Sequence, residues 1–185
     1  WHNERSGPWA ACLNLMDTHY PYRPKNEHDK WGGSHLRRLH RETRGPYSTT
    51  FLSGEYLWKL QAFEALYDGT IRQADDYVDH LLTTLEQRED LENTLVVVTS
   101  DHGEGFGEPS ELEPTIELVD HSWGISEELT HVPLVVQYPG QTNGEIIDRP
   151  ATLTRFPNVV RSVIGDDDVS EDSIGFVPDG PVLVS

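Results

Sequence analysis

Lysine is nearly missing from this chain. Lys25, Lys30 and Lys59 are its only three, and the 14 Lys and Arg together face 32 Asp and Glu, for a formal net charge of −18. A charge of that sign works against the cationic face that phosphate binding requires, so no nucleic-acid partner is expected. An acidic surface poor in lysine and well supplied with Asp, Glu and Thr matches salt-adapted proteins, in which screening relieves self-repulsion. A plain acidic cytosolic protein is the alternative. Cysteine is equally scarce: Cys12 stands alone, which excludes an internal disulfide and a cysteine-based metal centre. Its place in the apolar run Trp9–Met16 predicts a small buried hydrophobe. No apolar run reaches membrane-spanning length, so no membrane segment is expected. No signal peptide opens the chain at Trp1 and no initiator Met precedes it, so a fragment and a cytoplasmic location are the expectations.

What remains is globular material. Apolar residues make up 36% of the 185, with five Trp and seven Tyr, enough to bury one core. Pro8–Met16 reads as a core strand ending at Asp17-Thr18-His19-Tyr20-Pro21-Tyr22. Residues 23–53 are polar and without clear periodicity, an irregular excursion of the kind that covers a site. From Glu55 to Glu89, apolar residues recur at steps of three and four, which predicts one long helix that Gly69 breaks or bends. Asp75, Asp76 and Asp79 fall on its solvent face. Thr94–Ser100 and Pro133–Tyr138 read as strands, Glu145–Leu153 as a weaker one, Phe156–Ile164 as a helix stopped by Gly165, and Gly180–Ser185 as a last strand. Asp166-Asp167-Asp168 reads as a solvated turn, since no EF-hand spacing follows. Strands alternating with helices give an α/β architecture.

The junction of Thr94–Ser100 with Asp101-His102-Gly103-Glu104-Gly105-Phe106-Gly107-Glu108 carries the most chemistry. A β-branched apolar run reads as a strand of a parallel sheet, and such sheets place ligands beyond the carboxyl ends of their strands. A carboxylate and a neutral imidazole suit a hard or borderline divalent cation, and Gly103 permits the turn that would bring Asp101 and His102 to one ion. Capping and backbone hydrogen bonding are the blander roles for that pair. Glu104 and Glu108 are second candidates, for water-mediated contact or for orienting a histidine; a solvent-facing loop carboxylate suits Glu104 equally and Glu108 better. His19 ends the first apolar run and suits an anionic oxygen, or simply packs among aromatics. His121 lies in the last loop before Pro133–Tyr138. His131 is expected to hold loop structure, and one of Glu127 and Glu128 to be buried. His2, His28, His35, His40 and His80 are expected at the surface.

Four segments occur together in a known order: Asp17–Tyr22; Tyr67–Arg72 leading to Asp75-Asp76; Thr94–Glu104; and Glu127–Val136. The chain, over residues 9 to about 138, resembles the carboxyl-terminal half of a sulfatase of the alkaline phosphatase superfamily. The resemblance implies residues 1–185 as part of an α/β/α sandwich around a mixed, mostly parallel sheet. It implies a metal-dependent sulfuric ester hydrolase acting on a small-molecule or glycan sulfate ester. Asp101 and His102 would be metal ligands; His19, and more loosely His121 with Ser122, would contact the ester anion and serve catalysis. The cofactor implied is a divalent metal, calcium first, with manganese, magnesium and zinc open. The family's nucleophile is a formylglycine made from Cys, or Ser or Thr in relatives, in Cys/Ser-x-Pro-x-Arg. Cys12-Leu13-Asn14-Leu15 does not match, so the nucleophile and the early pair of acidic ligands are expected upstream of Trp1, in a missing N-terminal part of the same domain. Residues 1–185 alone are therefore expected to be inactive. A phosphodiesterase or phosphotransferase of the same superfamily is the rival enzyme, and a non-catalytic binder of sulfated or phosphorylated glycans the rival of another class.

Overall fold

The computed structural model describes residues 8–43, 58–121, 125–165 and 175–182. Its described elements are helices and two small antiparallel sheets; helix and strand are both present, but three strands follow one another without an intervening helix. The chain divides into two units: residues 1–44 with 62–77, and residues 45–61 with 78–185.

In the first unit, the predicted strand at Pro8–Met16 is not formed. Residues 8–15 have no regular structure and are exposed, and a 3₁₀ turn follows at Met16–Thr18. A strand is held by its ladder, and no described strand pairs with this run, so Leu13 stays 65% exposed. Cys12 is exposed as well, not buried as expected. Part of the excursion at 23–53 is regular after all: Gly33–Glu42 forms helix α1. Asp29 starts it, accepting from Gly32 N at 2.7 Å and from Gly33 N at 3.1 Å while pairing with Arg37. Those bonds satisfy amide donors that the first turn otherwise orphans. Burial works to raise the Asp29 pKa; the hydrogen bonds from Arg37, Gly33 and Gly32 outweigh it and hold the carboxyl below its usual range.

Helix α2, Trp58–Gln87, is the long predicted helix; Glu55–Leu57 lie outside the described residues. Its buried positions Leu60, Phe63, Leu66, Thr70 and Gln73 repeat at three and four residues. Asp75, Asp76 and Asp79 are exposed as expected. Gly69 neither breaks nor ends the helix. A Cβ there would meet Pro24 at 2.9 Å, so the glycine lets the 20–24 segment lie against the helix. The core of this unit is aromatic: Tyr22, 1% exposed, packs edge-on against Tyr67 at 5.3 Å between centroids. His40 meets Phe63 edge-on at 4.8 Å between centroids. His28 and His40 are both buried, which corrects their expected surface placement. His28 lies 3.9 Å from Asp76, and the aromatic ring faces shelter His40.

In the second unit, strand β1, Val96–Thr99, pairs antiparallel with β4, Leu134–Gln137, in the register Val98↔Val135. The sequence reading expected a mostly parallel sheet; the described ladder is antiparallel and half-buried. Between these strands, the loop expected at 101–126 holds a hairpin. Strand β2, Gly105–Pro109, pairs antiparallel with β3, Glu117–Asp120, with an irregularity between Phe106 and Pro109. Phe106, Leu118 and Val119 are its buried apolar residues, with Leu118 and Val119 on opposite faces of β3. The short helix α3, Glu127–Thr130, buries Leu129 but leaves both Glu127 and Glu128 exposed, against the expectation that one is buried. Glu145–Leu153 forms no strand. Helix α4, Phe156–Val163, ends near Gly165, whose φ of +78° is the left-handed geometry that favours glycine after a helix. Asp166–Asp168 and Leu183–Ser185 lie outside the described residues, as do His2 and Ser122.

Candidate functional site

The turn after β1 is fixed by the main chain. Gly103 N donates to Leu129 O at 2.8 Å, and a Cβ on Gly103 would fall 1.8 Å from Glu128 O. Only glycine permits that approach. Ser100 Oγ donates to His102 O at 2.6 Å, and Thr99 Oγ1 to Pro133 O at 2.8 Å, which ties the turn to β4.

Asp101 and His102 leave this turn together. Asp101 Oδ1 accepts from His102 N at 3.1 Å and lies 3.7 Å from His102 Nε2, with the carboxylate side chain 88% exposed. His102 Nδ1 is 2.8 Å from Gly103 O. A carbonyl only accepts, so Nδ1 carries the proton, and a neutral ring then presents a bare lone pair at Nε2. Two donors on one cation, each at about 2.0–2.6 Å, stand no further apart than about 5 Å. The pair at 3.7 Å meets that limit, and its acid-plus-imidazole chemistry fits a divalent ion.

The hairpin brings a second set alongside. His121 follows β3, and its ring stacks on His102 at 4.0 Å between centroids with 28° between planes. Two carboxylates face its Nδ1: Asp120 Oδ1 at 2.8 Å and Glu104 Oε1 at 3.6 Å. The Glu104 side chain is 7% exposed, so a residue read as equally suited to solvent is in fact enclosed. Ligand atoms of Glu104, Asp120 and His121 lie within 4.8 Å of one another. Asp120 takes φ +66°, the left-handed region that Asp tolerates better than most residues. There its carboxylate also accepts from His121 N at 2.9 Å. Glu108 turns away, accepting from Phe106 N at 2.7 Å.

His19 belongs to the other unit. Gln73, buried in α2, donates to Asp17 Oδ1 and accepts from Lys25 N at 2.8 Å, so one amide pins both sides of the Asp17–Pro24 turn. His19 is exposed, and its Nδ1 lies 2.7 Å from Tyr20 O. As at His102, the carbonyl fixes the proton on Nδ1 and leaves Nε2 outward.

Sequence reasoning thus singled out Asp101, His102 and His121, which the structure brings into one cluster. It missed Asp120 as a member and undervalued Glu104. The signal for Asp120 was its place directly before His121, but a hairpin joining 104 to 120 was not legible in a loop read as irregular.

A sulfatase family profile matches residues 1–163. Among curated proteins, an N-acetylglucosamine-6-O-sulfatase of Bacteroides thetaiotaomicron is 30% identical over 160 residues, covering 79% of this chain and 26% of that relative. The chain thus spans about a quarter of the length of the curated relative it matches. No solved structure matches the chain.

Proposed function

The chain belongs to the sulfatase family of the alkaline phosphatase superfamily, and from that premise we propose that the protein carrying it is a metal-dependent hydrolase of sulfate esters. The observation that carries this reading is the convergence of Asp101, His102 and His121 at the carboxyl end of β1, with the two imidazoles stacked at 4.0 Å. Asp101 and His102 are the proposed metal ligands, offering Oδ1 and the bare Nε2. A divalent cation held there supplies Lewis acidity that polarises the ester oxygens; calcium is the first choice for an exposed carboxylate, and manganese, magnesium and zinc are the competitors to be titrated.

The chain's own residues have distinct tasks in this scheme. Asp120 Oδ1 and Glu104 Oε1 lie 2.8 Å and 3.6 Å from His121 Nδ1, a charge environment of the kind carboxylates commonly give a working histidine. His121 then presents Nε2 to the ester, where a proton on that atom serves the departing alcohol oxygen. His19, with Nδ1 tied to Tyr20 O, offers Nε2–H to a sulfate oxygen when the ring is protonated. The nucleophile is proposed to be a formylglycine outside residues 1–185, because Cys12 lacks the Pro and Arg that the family motif requires. The substrate is proposed as a small-molecule or glycan sulfate ester; the relative's amino-sugar 6-sulfate gives one compound class to try first. The −18 charge is read as salt adaptation, which predicts better stability in molar salt than in dilute buffer.

The test is turnover of an aryl sulfate by the whole protein, before and after chelation, alongside Asp101→Ala. The expected result is a loss of about 100-fold or more in kcat/KM for both, about 2.7 kcal/mol of transition-state stabilisation, with activity restored to the chelated protein by metal. Wild-type turnover in the chelated protein or in Asp101→Ala would overturn the metal assignment. Binding of sulfated glycans without any turnover would favour a non-catalytic module.

A further inference from the structure

Three of the chain's 11 arginines share one cavity. Arg23, Arg37 and Arg41 line a cavity of about 250 Å³ in the first unit, with Ser34, Tyr22 and His40 also on its wall and no carboxylate among the lining residues. Arg37 is committed to Asp29 and Asn26. Arg23 and Arg41 are exposed, and neither forms an ion pair with a carboxylate among the described residues. In a protein of net charge −18, a pocket with cations and no acid is electrostatically out of character. A guanidinium is a planar fork of donors that matches an oxyanion.

His40 supplies a second, independent sign. It is 5% exposed, it lines the same cavity, and its Nε2 is buried with no hydrogen-bond partner among the described residues. A buried ring nitrogen without a partner costs stability. Burial, and then the nearby charge of Arg23, push its pKa down to about 4, so the ring is neutral near pH 7. An anionic oxygen in the cavity would give that nitrogen an acceptor and offset the Arg23 charge at once.

We propose that this cavity is an oxyanion site, in which the guanidinium groups of Arg23 and Arg41, with Ser34 Oγ and His40 Nε2, take one sulfate or carboxylate group. The site involves none of Asp101, His102 or His121 and stands whether or not the hydrolase reading holds. The two sources of such a group are a sulfate and the carboxylate of a uronic acid.

The 185-residue chain is titrated at constant ionic strength, in chloride buffer, with sodium sulfate and separately with sodium glucuronate, while the imidazole resonances of all assigned histidines are followed by NMR. Saturable shifts of His40, with its pKa rising as the anion binds, are the expected result. Saturation by sulfate alone assigns the sulfate source, and by glucuronate alone the carboxylate source. The double variant Arg23→Ala/Arg41→Ala is expected to weaken binding at least tenfold with an unchanged melting midpoint, both side chains being exposed. Arg41→Lys, which keeps the charge but loses the fork, covers the case in which the double variant does not fold, and is expected to weaken binding about threefold. Asp101→Asn is expected to leave the affinity unaltered. No saturable His40 shift with either anion, or a shift that survives both arginine variants, would overturn the proposal; so would shifts confined to His19 or His121, which would place the anion at the candidate active site instead.

Discussion

Two apolar runs in this chain lead into a turn that carries a histidine, and they meet different fates. Thr94–Ser100 leads to His102, and its centre, Val96–Thr99, is a strand paired with Leu134–Gln137. Trp9–Met16 leads to His19, and it forms no strand; Trp9, Leu13 and Leu15 stay exposed. The two histidines are anchored alike, each with Nδ1 against the carbonyl of the following residue, at 2.8 Å and 2.7 Å. Their surroundings differ. His102 gains a stacked His121 and the carboxylate of Asp101, because the paired strand fixes where its turn ends. His19 sits beside Met16–Thr18, where its N donates to Met16 O at 3.2 Å and its neighbour Asp17 accepts from Gln73 of α2. An apolar run thus encodes the capacity for a strand, and a ladder partner decides whether that capacity is used.

The sharpest way to break the contrast is at the better-built turn. Gly103→Ala puts a Cβ 1.8 Å from Glu128 O, a backbone atom that cannot swing aside. The expected cost is about 3 kcal/mol, the upper range for overpacking, read as a lower urea midpoint with loss of divalent-cation binding. Retention of both would mean that the turn's position does not depend on this approach. Asp101→Asn comes next. Its side chain is 88% exposed, so stability should stay within about 0.5 kcal/mol, while affinity for calcium or manganese, measured by calorimetry on the chain, should fall at least tenfold. A matching drop in stability would point to a structural carboxylate instead.

How much of this was legible in the sequence depended on how local the determinant was. The long helix followed from its own periodicity and was found to within three residues at its described end. The β1 and β4 strands followed from β-branched runs, and Asp101 with His102 from their place at a strand end. Partners were not legible. Nothing in Trp9–Met16 says whether a neighbour strand exists, and nothing in 101–126 announced the irregular hairpin that carries Glu104 to Asp120 and His121. His40 was read as a surface residue because its shelter comes from Tyr20, Tyr22 and Phe63, two segments away on either side.

That shelter makes a pH prediction on the side of the molecule where the first run failed to form a strand. The folded His40 pKa of about 4 lies below the ordinary value of 6.5. Between those values the unfolded chain binds the extra proton, so stability is complete above about pH 6.5 and falls as pH drops towards 4. The charged groups that share the cavity wall with the ring are Arg23, whose charge reinforces the effect, Arg37 and Arg41; Tyr20, Tyr22 and Phe63 around it are uncharged. Comparing urea midpoints of wild type and His40→Phe from pH 7 to pH 4 should show the variant's acid slope flattened over that window. Parallel curves would assign the acid loss elsewhere.

The smallest effect tests the comparison itself. Val98 sits in the ladder opposite Val135 and is half-buried, whereas Leu13 is 65% exposed and unladdered. Truncating Val98 to Ala removes two partly buried carbons and should cost about 1 kcal/mol at roughly 0.8 kcal/mol per buried methylene. Leu13→Ala removes more carbon from water than from protein and should change stability by less than about 0.5 kcal/mol. If the two variants destabilise the 185-residue chain equally, the Trp9–Met16 run is packed in solution and the apolar stretch before His19 is a strand after all. If Leu13→Ala is neutral while Val98→Ala is not, the carboxyl end that presents His102 is the one the chain builds firmly, and His19 depends on Gln73 for its place.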